Sequence, residues 1–246
     1  MSPRASGVRL RVGINAAVVA TGLLLALPLI AAAERVRRGA GRQVAVGTIR
    51  LLARLCGVSV TVHDELPSVD GPVIFVPNHG SPADIAAMLL TRPDVRFAAA
   101  SELFDKPILR LALRALDAVP VDREHPRAAM QVLREVVRAT PDLRLVAFPE
   151  GGMAEPGAPL RFKTGPFVLA IDAGASVVPV AITGADAVLP RRCRFAVRPG
   201  RISVRVLEPL PTAGLTAADR RSLRDRAQSA VAGALGGVCP PSRDSG

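Results

Sequence analysis

Residues 12–33 form an unbroken run of 22 residues without a charged side chain, and this run limits what a chain of 246 residues can become. At ~1.5 Å per residue it makes a helix about long enough to cross a bilayer. Asn15, Pro28 and two glycines weaken its apolar character, which a membrane helix tolerates. Its flanks are basic. Residues 1–54 hold nine Arg and a single acid, Glu34, so they supply +8 of the formal net charge of +11. Arginines beside lipid head groups contribute roughly 1 kcal/mol each. The expectation is therefore a basic N-terminal membrane anchor over residues 1–54.

Two other placements share this pattern. A cleaved leader would use Arg4, Arg9 and Arg11 as its basic start and Ala31-Ala32-Ala33 as its cleavage site. The apolar stretch exceeds the usual ~7–15 residue core of a leader, which favours a retained anchor. A hairpin or interfacial helix would dip into the bilayer without crossing. If the run does span, Arg35, Arg37, Arg38 and Arg42 outnumber the three arginines before it. That bias predicts the cell membrane as the location, with the main domain on the cytoplasmic side.

Composition removes several classes. Hydrophobic residues make up 49% and charged residues 22%, which excludes disorder. Trp and Tyr are absent and Phe numbers seven, so the stacking platforms of a single-strand nucleic-acid binder are missing. With the excess charge gathered around the anchor, no nucleic-acid partner is expected. Cys56, Cys193 and Cys239 are odd in number and form no CxxC pair, so neither a disulfide scaffold nor a zinc site is expected.

Past the anchor, short β-rich runs alternate with helical stretches. Strands are expected at 58–63, 73–77, 96–100, 119–121, 144–148, 177–182 and 202–207, the last alternating like an exposed edge. Helices are expected at 82–90, 107–116, 126–139, 166–172 and 216–235, with Gly236 just past the last. This alternation predicts an α/β domain over 55–238, a central mixed sheet flanked by helices. Residues 239–246 read as a frayed tail.

Three loops carry chemistry-bearing residues. The first is Asn78-His79-Gly80-Ser81-Pro82-Ala83-Asp84, where a strand hands over to a helix. A carboxylate from Asp84 on one ring nitrogen of His79 would leave the other nitrogen free to take a proton from a hydroxyl. The competing reading makes Ser81, Pro82 and Asp84 an ordinary helix start. The second is Val119-Pro120-Val121-Asp122-Arg123, where Arg123 either grips a phosphate or pairs with Asp122 or Glu124 at the surface. The third is Phe148-Pro149-Glu150-Gly151-Gly152, where paired glycines let the backbone approach a ligand, or simply make a turn. His63 and His125 are assigned no role.

The order of these pieces, with FKTGPFVLA at 162–170 and VVPVAI at 177–182, resembles the glycerolipid acyltransferase family over residues 58–207. Bacterial 1-acyl-sn-glycerol-3-phosphate (lysophosphatidate) acyltransferases are the members it is most similar to. The resemblance implies that His79 is a general base oriented by Asp84, and that Arg123 binds the acceptor's phosphate. It implies that Glu150 and Gly151 shape the acceptor site, with Asn78 and Gly152 of the same motifs placed among the substrate-binding residues. It further implies transfer of an acyl chain from acyl-CoA or acyl carrier protein to the sn-2 hydroxyl of a lysophospholipid. The product is phosphatidic acid, a phospholipid precursor, and the thioester makes a cofactor or metal unnecessary.

Three departures from the family pattern bear on the acceptor. Gly152-Met153 stand where the family has Thr-Arg, Asp117 stands where it has Gly, and Ala100 stands at a common Lys. Arg161 and Lys163 follow the third motif closely enough to compensate. A less anionic lysolipid or a glycolipid stays open as the acceptor, as does a relative that binds lipid or acyl carrier without turnover. Residues 107–116 carry Arg110 and Arg114 on an apolar segment, either a helix at the bilayer surface or a core helix with snorkelling arginines.

Overall fold

The five residues of Val73–Pro77 are all buried, and this short apolar run lies in the middle of the sheet around which everything else packs. The structure is a computed structural model that describes residues 3–64, 69–155, 158–191 and 195–236. The expected tail at 239–246, Cys193 and Cys239 lie outside the described residues.

In chain order the elements are α1 (Pro3–Val36), α2 (Ala40–Leu55), β1 (Val58–His63), β2 (Val73–Pro77), α3 (Ala83–Thr91), β3 (Arg96–Ala100), α4 (Pro107–Ala115), β4 (Val119–Val121), α5 (Pro126–Ala139), β5 (Arg144–Val146), α6 (Gly165–Ala173), β6 (Ser176–Thr183), α7 (Ala185–Val188), β7 (Gly200–Val206) and α8 (Arg220–Gly236). The seven strands order as β1-β7-β6-β2-β5-β3-β4. Strands β6, β2, β5, β3 and β4 run parallel, while β7 pairs antiparallel with β6 and parallel with β1. The sheet is therefore mixed, as expected. One edge collects the carboxyl ends of the five parallel strands.

Alternate side chains of β2 serve opposite faces. Val73 and Phe75 join α3 and residues of α1 and α2 in one core. Ile74 and Val76 join α5, α6 and α8 in the other.

Two elements differ from expectation. Strand β7 lies between β1 and β6, not at an edge. It alternates because Ile202, Val204 and Val206 are buried while Arg201, Ser203 and Arg205 face an uncovered side. One-sided burial and edge position leave the same pattern in a sequence. The C-terminal helix starts later than expected, at Arg220, behind a 3-10 turn at Ala217–Asp219 closed by a Thr216–Asp219 capping box. It also runs through Gly236, which is its last residue rather than the one beyond it.

Helix α2 was not foreseen. It packs antiparallel against α1, and Gly22 is what lets the two approach: a Cβ there would lie 2.6 Å from Cδ2 of Leu52. The Glu34 carboxylate accepts the N–H groups of Gly39 and Gly41 at 3.1 Å, closing the turn and satisfying free donors at the start of α2. Arg42 then fastens α2 to the sheet domain. Its guanidinium donates to the carbonyls of Pro93 (2.8 Å), Leu116 (2.9 Å) and Val95, in front of β3 and β4. Burial pulls the Arg42 pKa down, and nearby Asp117 opposes that shift.

Within α1, residues Leu10–Val36 are long and apolar enough to cross a membrane, and only 11% of that stretch is buried. The polar interruption at Asn15 has a specific purpose. Its buried amide donates to the carbonyls of Cys56 (3.2 Å) and Val197 (2.9 Å), pinning α1 against the sheet domain.

Candidate active site

His79 lies in the loop after β2, at the shared carboxyl edge, and Asp84 lies in the first turn of α3. A single oxygen of Asp84, Oδ2, accepts three hydrogen bonds. They come from His79 Nδ1 (2.9 Å), the Gly80 N–H (2.9 Å) and the Ser81 N–H (2.8 Å). The Asp84 side chain is 2% exposed and that of His79 is 12% exposed. A carboxylate can only accept, so Nδ1 carries the hydrogen, and in the neutral imidazole Nε2 is the nitrogen with the lone pair. The two readings of this segment are thus one object: Asp84 organises the entry to α3 and orients the imidazole. Ser81 completes the turn, donating to Leu189 O (2.6 Å) and accepting from Ala83 N–H (3.0 Å).

The third motif holds the first. Glu150 Oε1 accepts the N–H of His79 at 2.6 Å, and the N–H of Ala154 donates to the carbonyl of His79 at 2.8 Å. Both polar groups of the His79 main chain are therefore tied to the loop after β5. Burial raises the Glu150 pKa, and the hydrogen bond from His79 works against that rise. Phe148 stacks on the imidazole with ring centroids 3.9 Å apart and planes 22° from parallel, and Phe97 stands behind it at 6.4 Å. The sequence reading missed Phe148 as a site residue; its only signal was membership in the third motif.

Asn78 is bound on both sides of its amide, donating to Ile182 O (2.9 Å) and accepting from Ile182 N–H (2.7 Å). These bonds fasten the His79 loop to β6. Gly151 has φ +75°, and a Cβ on it would meet Lys163 Nζ at 2.6 Å. The Lys163 ammonium therefore sits over the glycine loop, held there in part by its own N–H to Pro149 O at 2.7 Å. Gly152 is half-buried in the same loop, and Arg161 is exposed two residues before Lys163.

Arg123 follows β4, three strands along the edge from β2, about 14 Å away at ~4.8 Å per strand. It is exposed and forms no ion pair among the described residues, so its expected pairing with Asp122 or Glu124 is not seen. Asp122 instead braces the loop. It accepts the N–H groups of Glu124 (2.8 Å) and His125 (3.1 Å) through Oδ1, and His125 Nδ1 (2.8 Å) through Oδ2. The hydrogen bond from His125 is the main reason the Asp122 pKa is lowered.

Beside Pro82 and Ala83, under the hairpin, lies an apolar cavity of about 180 Å³, lined among others by Leu23, Leu52, Val58 and Leu90. Sequence reasoning did not anticipate it because α2 supplies one wall. Among the described residues no group of three or more His, Cys, Asp or Glu is placed to hold a metal ion.

The profile of the Acyltransferase family matches residues 58–183, the segment that carries all three motifs. The chain belongs to that family. It is 34% identical over 157 residues to 1-acyl-sn-glycerol-3-phosphate acyltransferase alpha of Mus musculus, covering 63% of this chain and 55% of that one. It is 28% identical over 218 residues to a 1-acyl-sn-glycerol-3-phosphate acyltransferase of Chlamydomonas reinhardtii, covering 87% and 64%. The chain spans about half the length of the curated relatives it matches. Its fold is that of the 1-acyl-sn-glycerophosphate (LPA) acyltransferase PlsC of Thermotoga maritima, with a TM-score of 0.74 at 20% identity over 94% of this chain and 99% of that one.

Proposed function

We propose that the chain transfers an acyl group from acyl-CoA or acyl carrier protein to the sn-2 hydroxyl of 1-acyl-sn-glycerol-3-phosphate, giving phosphatidic acid. The observation that carries this reading is His79 with Nδ1 held by Asp84 and Nε2 free at the sheet's carboxyl edge. Nε2 takes the proton of the acceptor hydroxyl as its oxygen bonds to the thioester carbonyl carbon. Asp84 stabilises the imidazolium that results. Collapse of the adduct breaks the C–S bond, and the imidazolium returns the proton to the leaving thiolate. General-base help of this kind contributes on the order of 10²–10⁴ in rate. The energy of transfer comes from the thioester, so the proposal invokes no cofactor or metal. Arg123 and Lys163 supply the positive charge for the acceptor's phosphate, with Arg161 at the rim.

The relatives' names support the acceptor. We propose a membrane-bound protein with its sheet domain on the cytoplasmic side, where the anionic leaflet attracts the arginines that flank the apolar run of α1. Pinning by Asn15 and pairing with α2 favour a hairpin lying along the near leaflet over a projecting span.

The test is acyl transfer by membranes containing the protein, with labelled acyl-CoA and acyl carrier protein and a panel of lysolipids, beside His79→Ala. Label in phosphatidic acid, lost in the variant, is expected. Label in another lysolipid alone would move the acceptor. No product with either donor, or full activity in His79→Ala, would overturn the mechanism.

A further inference from the structure

Residues 101–110 turn a corner at the catalytic edge. Strand β3 ends at Ala100, a 3-10 turn covers Ser101–Leu103, and α4 begins at Pro107. The strand order β2-β5-β3-β4 places this corner between the loops that carry His79 and Glu150 on one side and the Arg123 loop on the other.

The corner is apolar and uncovered. Ile108 is 64% exposed, and Leu103 and Leu109 are also exposed. Within α4 only Ala115 is buried, at the far end of the helix, where it joins Ala26 and Ile30 of α1 in the core. Helix α4 packs against α1, whose Leu24, Leu25 and Leu29 are exposed as well. Lys106 and Arg110 are exposed around the tip, against the exposed carboxylates of Glu102 and Asp105, while Arg114 stands in the last turn of the helix. Arg110 and Arg114 are one helical turn apart and share a side of α4.

We infer that the tip of α4, Leu103 with Ile108 and Leu109, dips into the bilayer interface and seats the catalytic edge against the lipid surface. The occupant is a lipid bilayer because α4 packs against the one helix, among those described, that is apolar enough for a membrane. Its chemistry agrees. The tip is aliphatic, whereas protein-binding cores rely on aromatic anchors, and its Lys106 and Arg110 have apolar stems that let the charge reach head groups. The corner's two cations balance its two carboxylates, so insertion is mainly apolar and shallow, ~5–10 Å deep. An acceptor held in the leaflet would meet the site between base and Arg123 without leaving the membrane. The inference rests on the membrane reading of α1 and on a lipid acceptor.

The chain has no Trp and no Tyr, so one introduced indole is its only strong emitter. Ile108→Trp and, separately, Leu25→Trp are reconstituted as full chains in phosphatidylcholine–phosphatidylglycerol vesicles with acyl chains brominated at shallow or deep positions. Blue-shifted emission from Ile108→Trp, quenched more by shallow than by deep bromine, is expected. Quenching in Leu25→Trp without quenching in Ile108→Trp overturns the corner's role and leaves the anchor standing. The converse result keeps the corner and removes the anchor; absence of both removes both.

A second arm uses Ile108→Asp/Leu109→Asp, with circular dichroism as the folding control. Transfer to a vesicle-held acceptor should drop about tenfold while transfer to a short-chain soluble acceptor is unchanged. Equal loss on both acceptors, or no loss on either, overturns the role in acceptor delivery.

Discussion

Replacing Asp84 by alanine and by asparagine should separate the two jobs of one carboxylate. Its Oδ2 receives the Ser81 and Gly80 N–H groups as well as His79 Nδ1. In Asp84→Ala those two backbone donors lose their acceptor. An unsatisfied buried donor costs about 1–3 kcal/mol. Ser81 is fully buried and bears that cost in full, while Gly80 is half-buried and recovers part of it from water. The sum is about 2–4 kcal/mol of stability. Asp84→Asn keeps an oxygen for both donors, so its stability cost should stay near 1 kcal/mol. Its catalytic cost should be larger. The negative charge facing the imidazolium disappears, although the amide oxygen that takes the Gly80 and Ser81 N–H groups still accepts Nδ1–H. Similar constellations lose up to about 10⁴ in turnover from such a change, and 10²–10³ is expected here.

The measurements are urea unfolding followed by circular dichroism, since the chain lacks Trp, and kcat for acyl transfer, both in the same micelles. His79→Ala serves as reference: it should lose turnover with about 1 kcal/mol or less of stability, because that side chain accepts none of the main-chain bonds. The reasoning fails if Asp84→Ala unfolds at the same urea concentration as the parent. It fails equally if Asp84→Asn turns over at the parent rate while His79→Ala is dead.

Three further outcomes follow from the same geometry. Phe148→Leu removes the stacked face from His79 and should lower kcat about three- to tenfold with little change in KM, and Phe148→Tyr should restore it; steady-state kinetics decide. Arg42→Ala leaves the carbonyls of Pro93, Val95 and Leu116 without their donor, so thermal unfolding should show a loss of about 2–4 kcal/mol, with Arg42→Lys intermediate. Burial holds the Glu150 carboxyl above the usual glutamate range, so the native state binds more protons than the unfolded chain in that window and its stability falls as pH rises through it. Glu150→Gln, which keeps an oxygen for the His79 N–H, should match or exceed the parent's stability at pH 7 and lose that advantage below about pH 4, as read by unfolding across pH.

Much of the domain was legible because its signals are local. The apolar run at 73–77, Pro at the start of α4 and α5, and the spacing of His79 and Asp84 are all set within a few residues of one another. Contacts across long separations left no such signal. Glu150 reaches the N–H of His79 across 71 positions, and Phe148 reaches its ring across a similar gap. Helix α2 did carry a helical pattern, with Ala45, Val46, Ile49 and Leu52 on one side. The arginines between them read equally well as the charged flank of an anchor. Asn15 looked like a flaw in a membrane helix; its two carbonyl partners are 41 and 182 residues away, which no window on the sequence covers.

Tertiary structure also changes the charge accounting around the acceptor. In sequence, Asp117 adds a negative charge to the second motif and Gly152-Met153 removes a positive one from the third. In the fold, the Asp117 carboxylate stands 3.6 Å from the Arg42 guanidinium, at the foot of β4 and on the opposite edge from Arg123. It belongs to the joint between the hairpin and the domain, and its unusual φ of +49° occupies a turn where the family has glycine. Lys163, meanwhile, lies over Gly151, so a cation stands at the third motif, and in the proposed reaction it takes the place of the missing arginine. Of the three motif departures, Ala100 alone is left without an offset, which supports a phosphate monoester over a less anionic acceptor in the proposed reaction. Lys163→Ala should accordingly raise KM for 1-acylglycerol-3-phosphate by about tenfold and change KM for a phosphodiester lysolipid less, because one charge-assisted contact to phosphate contributes about 1.5–3 kcal/mol before solvent screening. Equal effects on both acceptors would place Lys163 outside phosphate recognition and return the weight to the less anionic class.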